Sequence, residues 1–188
     1  MRYDVIEKIG EGNRGEVYKV KLEDGTFAAL KWAKSYKIDK EWNILSFLNG
    51  KYAPKPIFRG KKYLVMELIE GIPLKELIGT KDYYVLLKQA LEGAYYLDRA
   101  GVFHKQLGRY YHILKTDKGA RFIDFERSVF SEKPRNFLQL VGYYLQRDEN
   151  FDKKEVEKIA AVYKTNPKNG LLRIKDLLDE IIENKFLG

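Results

Sequence analysis

The stretch GEGNRGEVYKVKL, residues 10–22, decides the fold. Its glycines fall at Gly10, Gly12 and Gly15, with Val17 two places further on. That is the spacing of a loop that covers phosphates. A backbone without Cβ atoms can lie close to an anion and aim its N–H groups at it. Two architectures use the pattern. A dinucleotide-binding α/β fold needs a helix after the last glycine, whereas a glycine-rich hairpin needs strands on both sides. Here YDVIEKIG precedes the loop and EVYKVKL follows it, both rich in β-branched and aromatic residues. The sequence therefore predicts a β-hairpin lying over phosphates rather than a Rossmann turn.

Working outward, Asp24-Gly25 marks a tight turn into a third strand, TFAALKWAK, which carries Lys31 near its end. A lysine there reaches phosphates as a point charge and needs a carboxylate to hold it. Glu41 offers one, a turn into the helix expected over IDKEWNILSFLNG, where Ile38, Trp42, Leu45 and Leu48 recur at helical spacing and Asn49-Gly50 ends the run. Val17 and Ala29 read as small apolar walls for a purine. Strand signals return in KPIFRG and KKYLVMELI, after which the Glu67 carbonyl and the Ile69 N–H would meet the base edge. From there the pattern is helical, with apolar residues three and four apart over 83–99, 136–146, 153–163 and 172–184. The tyrosine pairs 83–84, 95–96 and 143–144 read as packing within those helices. The expected architecture is α+β and bilobal, with a β-rich lobe over 1–66, a joint over 67–73 and a helical lobe over 74–188.

A second stretch, HKQLGRYYHILKTDKGARFIDFE (104–126), holds the remaining chemistry. It begins His104-Lys105-Gln106-Leu107 and ends Asp124-Phe125-Glu126 after the strand-like ARFI. In outline these match the catalytic loop H-R-D-L-x-x-x-N and the metal motif D-F-G of protein kinases. His104 and Leu107 coincide, Lys105 stands for the arginine, and Gln106 stands for the catalytic aspartate. The asparagine position falls on Tyr111 by simple count. Matching the apolar pair Ile113-Leu114 puts it instead on His112, with one extra residue in the loop. Ala29-Leu30-Lys31 takes the place of V-A-I-K. On these residues the chain from about 3 to 127 resembles the protein kinase-like superfamily, and so a bilobal, minimal protein kinase-like fold. The missing A-P-E and the short remainder, which leaves little room for a peptide platform, resemble the minimal atypical kinases of archaea, such as the RIO and Bud32 families. Ile123-Asp124-Phe125-Glu126-Arg127 is similar to the I-D-F-E-R metal motif of an archaeal group of predicted Ser/Thr kinases. That group includes an RNA kinase acting on a ribose 2′-hydroxyl of tRNA.

The resemblance implies ATP (or GTP) and Mg²⁺, with Asp124 on the metal. His112 would be a second metal ligand or a phosphate contact, imidazole being a poor ligand for Mg²⁺. Gln106 cannot take and keep a proton, but it can accept a hydrogen bond from a hydroxyl and orient it. Phosphoryl transfer passes through a loose transition state, so positioning and charge neutralisation outweigh proton abstraction. Lys105 or Arg109 would stabilise charge, Glu126 could accept a proton, and His104 would brace the Asp124–Phe125 turn. Arg109, Tyr110, Tyr111, His112 and Lys115 interleave basic and aromatic groups, which suits a splayed nucleotide. The expected function is an ATP-dependent kinase acting on a 2′-hydroxyl of tRNA or another structured RNA. An atypical Ser/Thr protein kinase and a nucleotide-binding pseudokinase remain as alternatives.

Composition sets the outer limits. The chain has 188 residues, 45% of them hydrophobic, enough for a buried core. It has no cysteine, which excludes disulfides and thiolate metal sites. No apolar run is long enough to span a bilayer, and MRYDVIEKIG lacks the apolar core of a secretory leader, so a cytoplasmic location is expected. Abundant Lys, Arg and Glu beside so little Cys and Met would suit a thermophile. The net charge is +8, concentrated in residues 1–66, which carry 14 basic and 8 acidic side chains. Such an excess favours an anionic partner.

Overall fold

The computed structural model describes all residues, 1–188, and the chain divides into two compact units. The first comprises residues 1–70 together with 122–128, and the second comprises 71–121 and 129–188.

The first unit is an antiparallel sheet with one helix. Its strands are β1 (Tyr3–Glu11), β2 (Gly15–Leu22), β3 (Phe27–Ala33), β4 (Pro56–Arg59) and β5 (Tyr63–Glu67), in the order β1-β2-β3-β5-β4. The β2–β3 turn forms as the sequence predicts. Gly25 takes φ 84°, and Asp24 Oδ1 accepts from the Thr26 N–H at 2.9 Å. Strand register then sorts the side chains onto two faces. Val17 pairs with Lys31 and Lys19 with Ala29, while Ala29 pairs with Met66 and Lys31 with Leu64. Val17, Ala29, Lys31, Leu64 and Met66 therefore share one face, because residues directly opposite and two apart point the same way. The other face is a core of Val20, Ala28, Leu30 and Val65, walled by Tyr3, Tyr18, Leu22, Phe58 and Tyr63. A slip of one residue would exchange the two faces, so this core is what pins Lys31 to the opposite side.

Helix α1 (Ile38–Leu48) ends at Asn49, whose φ of 46° lets its N–H return to the Leu45 carbonyl. Its buried face is Ile38, Glu41, Ile44, Leu45 and Leu48, with Trp42 only half-buried. The apolar stripe is thus one that carries a carboxylate in its middle. Fully burying one Leu side chain contributes about 1.5–3 kcal/mol, which holds Glu41 in place against its own desolvation.

The second unit is built on helices. α2 (Lys81–Ala100) is capped by the Thr80 hydroxyl and stopped by Gly101 at φ 76°. Short strands β6 (Ile72–Pro73), β8 (Ile113–Thr116) and β9 (Gly119–Phe122) form one small sheet, and β7 (Val102–Phe103) pairs with β10 (Val129–Phe130). α3 (Asn136–Leu140) passes into a π-helical turn over Val141–Leu145. α4 (Lys153–Thr165) is capped by Asp152. α5 (Pro167–Ile182) begins well before the expected position 172, because Asn166 caps it and Pro167 occupies its first turn. Its opening residues, PKNG, are polar or small and hide the start from an apolar-spacing argument. No helix is long and apolar enough to cross a membrane. Of the tyrosine pairs, Tyr83, Tyr84 and Tyr144 are buried, whereas Tyr143 lies at the surface.

Candidate active site

In the first unit the functional residues gather around one buried ammonium. Lys31 is 5% exposed. Its Nζ lies 3.0 Å from Glu41 Oε1, 3.1 Å from Asp124 Oδ1 and 3.6 Å from Glu126 Oε2. Burial works to lower the pKa of Lys31, but the fields of Glu41 and Asp124 outweigh it and hold the lysine charged. For Glu41 burial is the larger influence and pushes its carboxyl upward, against the pull of Lys31 and Tyr36. One cation thus faces three carboxylates, leaving an excess of negative charge around a group that cannot move away.

Sequence reasoning missed Tyr36. Its hydroxyl donates to Glu41 Oε2 at 2.8 Å, and its ring lies beneath the Arg14 guanidinium at 5.0 Å and near Lys31 Nζ at 5.8 Å. Gly15 lies just beyond it: a Cβ at Gly15 would come within 2.6 Å of the Trp32 carbonyl and 3.7 Å of the Tyr36 ring. The glycine hairpin, Tyr36 and the Lys31–Glu41 pair are therefore packed as one assembly. At Gly12, by contrast, nothing in the chain lies within 4 Å of where a Cβ would stand. At Gly10 a Cβ would meet only the Val17 side chain, at 3.6 Å, an ordinary contact. Asp124 has a left-handed backbone, φ 62°, and a side chain 32% exposed. The Ser128 hydroxyl donates to the Phe125 carbonyl and closes the turn behind it. Glu67 ends β5 with its N–H on the Lys55 carbonyl, and Ile69 follows two residues on in the same unit.

In the second unit the loop after β7 is held from both sides. Asn136 accepts from the His104 N–H at 2.9 Å and donates to the Val102 carbonyl and to Asp98. Asp98 also accepts from the N–H groups of Asn136 and Phe137 and from the Tyr163 hydroxyl, joining α2, α3 and α4 beneath the loop. Burial pushes the Asp98 carboxyl upward, against these hydrogen bonds. His104 is fully buried and its Nδ1 accepts from the Gln106 N–H at 3.1 Å, so that nitrogen carries no proton. His112 Nδ1 lies 3.0 Å from the Gln106 carbonyl and must donate to it. Between the two imidazoles Gln106 is fixed in backbone, while its side-chain Oε1 is buried and meets no donor. An unpaired buried acceptor costs free energy, about 1–3 kcal/mol in mutational data, and such groups concentrate where a ligand supplies the partner.

The expected substrate residues separate. Lys105 is exposed with φ 75°, and its carbonyl is held by Gln139 Nε2 at 2.9 Å. Arg109 is exposed. Tyr111 is 55% exposed, with Lys75 donating to its hydroxyl at 2.7 Å. Tyr110 packs edge-on against Tyr144 at 4.9 Å, and Lys115 is paired with Asp82 at 2.5 Å. Tyr110 and Lys115 are thus tied into the fold of their own unit. No cluster of three or more His, Cys, Asp or Glu is arranged to hold a metal ion.

A glycine hairpin, a lysine held by a helix glutamate, a positive-φ Asp-Phe turn and a histidine-anchored loop are the parts of a kinase-like α+β fold. The RIO domain family matches residues 30–160, well over half of the chain. The chain belongs to the RIO family. It is similar to the serine/threonine-protein kinase RIO2 of Saccharomyces cerevisiae, at 24% identity over 90% of this chain and 47% of that protein. The serine/threonine-protein kinase rio2 of Schizosaccharomyces pombe is 23% identical over 78% of this chain and 50% of its own length. Myosin-IIIb of Mus musculus is 30% identical over 65% of this chain but only 11% of that protein. The chain therefore spans about half the length of the two RIO2 kinases.

The kinase family implies ATP and Mg²⁺, and the first unit's residues fit both. The open position at Gly12 leaves room for phosphates. The partly exposed Asp124 carboxylate, with Glu126 beside it, offers hard oxygen donors and excess negative charge for a cation that keeps most of its water. His112 is better used as the brace of Gln106 than as a ligand for a hard cation.

Proposed function

We propose that the chain is an ATP-dependent phosphotransferase of the atypical Ser/Thr kinase kind. The observation that carries this reading is the buried Lys31, held between Glu41 and Asp124 on the face that also bears Val17 and Ala29. Gly10, Gly12 and Gly15 would cover the phosphates, Val17 and Ala29 would flank the base, and the backbone of Glu67 and Ile69 would meet its edge. Residues 1–66 would then be the nucleotide lobe, 67–73 the joint and 74–188 the acceptor lobe. Lys31 neutralises phosphate charge, and Glu41 and Tyr36 keep it aimed. Mg²⁺, when bound by Asp124, would supply further neutralisation of the phosphate oxygens. With its amide turned outward from the buried position, Gln106 would accept the hydrogen bond of the attacking hydroxyl and so aim its lone pair. The bond between the acceptor oxygen and the γ-phosphorus forms as the bond to the bridging oxygen of ADP breaks. The hydroxyl proton leaves with the transferred phosphoryl group or to water, since an amide cannot retain it. In a loose transition state that proton moves late, which is why an amide suffices.

The RIO2 relatives, both serine/threonine-protein kinases by name, favour a Ser/Thr acceptor over the RNA acceptor that the motif resemblance suggests. A tRNA 2′-hydroxyl is kept as a second reading because Tyr111 and Arg109 stand exposed in the loop that carries Gln106. Radiolabelled γ-phosphate with Mg²⁺, offered a generic protein substrate, total tRNA or no acceptor, separates the readings. Label in protein, lost with Asp124→Asn, is the expected result. Label only in RNA, resistant to protease, moves the assignment to RNA. Nucleotide binding without any transfer reduces the chain to a pseudokinase.

A further inference from the structure

The second unit contains a cavity of about 700 Å³ that the reaction above does not use. One wall is the face of α3 and its π turn that presents Leu138, Val141 and Gly142, and the other is the face of α4 that presents Ala160 and Ala161. Phe103, directly before His104 in the chain, also lines it. The opening has a structural origin. A π turn widens a helix locally, and at Gly142 a Cβ would meet nothing within 4 Å. The wall there has no side chain and the packing requires none.

Gln139 connects this cavity to the catalytic loop. It lines the cavity, and its Nε2 holds the carbonyl of Lys105, the positive-φ residue preceding Gln106. Its Oε1, like that of Gln106, is buried and meets no donor. Gln139 thus ties the wall of the cavity to the backbone beside Gln106. Arg135 and Lys164, both exposed, stand at the cavity with Glu157 as their only acidic neighbour on its lining.

We infer that this cavity is the acceptor-side subsite, taking an apolar side chain next to the phospho-accepting Ser or Thr, with an acidic residue beside it. The inference rests on the Ser/Thr kinase reading. The apolar side chain packs into the space left at Gly142, and the carboxylate meets Arg135 and Lys164. The apolar part of the lining, Leu138, Val141, Ala160 and Ala161, suits an aliphatic side chain, and the exposed Arg135 and Lys164 suit a carboxylate beside it.

The test uses the full chain, Mg²⁺ and ATP on a degenerate peptide library centred on Ser or Thr. Wild type is expected to select an apolar neighbour flanked by Asp or Glu. Gly142→Phe puts a ring into the cavity beside the apolar wall and weakens the apolar preference. Arg135→Glu combined with Lys164→Glu reverses the charge preference, by up to about fivefold per charge as for an exposed ion pair. Melting temperatures like the wild type's show that the variants are folded. A wild type that labels no peptide overturns the Ser/Thr reading and the subsite with it. Peptide labelling with a flat profile, or a profile that both variants reproduce, overturns the subsite alone.

Discussion

On the proposed reading, the chemistry of this chain turns on Gln106. Its backbone is fixed by His104 and His112 while its side-chain oxygen meets no donor, the arrangement of an orienting group rather than a base. A general base typically contributes about 10²–10⁴-fold. If orientation and charge neutralisation carry the step, Gln106→Asp raises kcat by no more than about tenfold and adds an acid limb to the pH–rate profile. A gain of a hundredfold or more would show that proton abstraction limits the native protein. Lys31 is coupled differently, because it meets three carboxylates at once. Lys31→Met leaves buried charge unpaired and should destabilise by about 3–5 kcal/mol, measured by urea unfolding. Burial pushes the Glu41 carboxyl upward. A raised folded pKa favours the protonated form, so stability is gained as pH falls, and the variant should recover part of its loss as pH falls toward the ordinary carboxylate value. A loss independent of pH would mean that Glu41 is not the group left exposed to the change. Sequence spacing brought Lys31 and Glu41 together on paper. It could not find Tyr36, since a tyrosine in a loop carries no periodic signal.

At the scale of elements, two hydrogen-bonded clusters set the geometry. On the glycine hairpin, Glu16 is bound by the Tyr18 hydroxyl at 2.6 Å and by Lys34 and Lys8 at 3.0 and 3.2 Å. The Tyr18 hydrogen bond first, then Lys34 and Lys8, hold its carboxyl down at about 2. A lowered folded pKa stabilises above the ordinary carboxylate value and loses that contribution as pH falls toward 2. Carboxyl NMR titration should place Glu16 near that value. Removing Lys8 and Lys34 together should return it part of the way, whereas an unchanged value would assign the shift to Tyr18 alone. Beneath the catalytic loop, Asn136→Ala strips partners from the His104 N–H and the Val102 carbonyl. At about 1–3 kcal/mol per buried group left unpaired, the expected cost is on the order of 3 kcal/mol by thermal or urea unfolding. Most of these elements were legible in the sequence. α5 was not, beyond its second half, because its start is written in capping residues rather than apolar spacing. The substrate loop was read too uniformly. Tyr110 and Lys115 face partners of their own, Tyr144 and Asp82, that lie far away along the chain.

For the whole molecule, a net charge of +8 predicts association with any polyanion at low salt. Retention on tRNA should fall steeply between about 50 and 200 mM salt, since each phosphate contact contributes nearly one unit of log–log slope. If retention survives at high salt, recognition goes beyond charge and the RNA reading gains weight. By itself the sequence predicted the glycine-bearing hairpin, a β-rich start followed by a helical remainder, and the pairing of Lys31 with Glu41. Those are local facts, carried by glycine spacing, alternation and helical period. Only the tertiary structure decided that residues 122–128 join the first unit, that Lys31 answers three carboxylates, and that Gln106 and Gln139 each keep an unpaired oxygen. Asp98 and Asn136 likewise gained their role only when three helices met around them. Burial and hydrogen-bond satisfaction depend on which distant segments close around an atom, and no pattern along the chain records that.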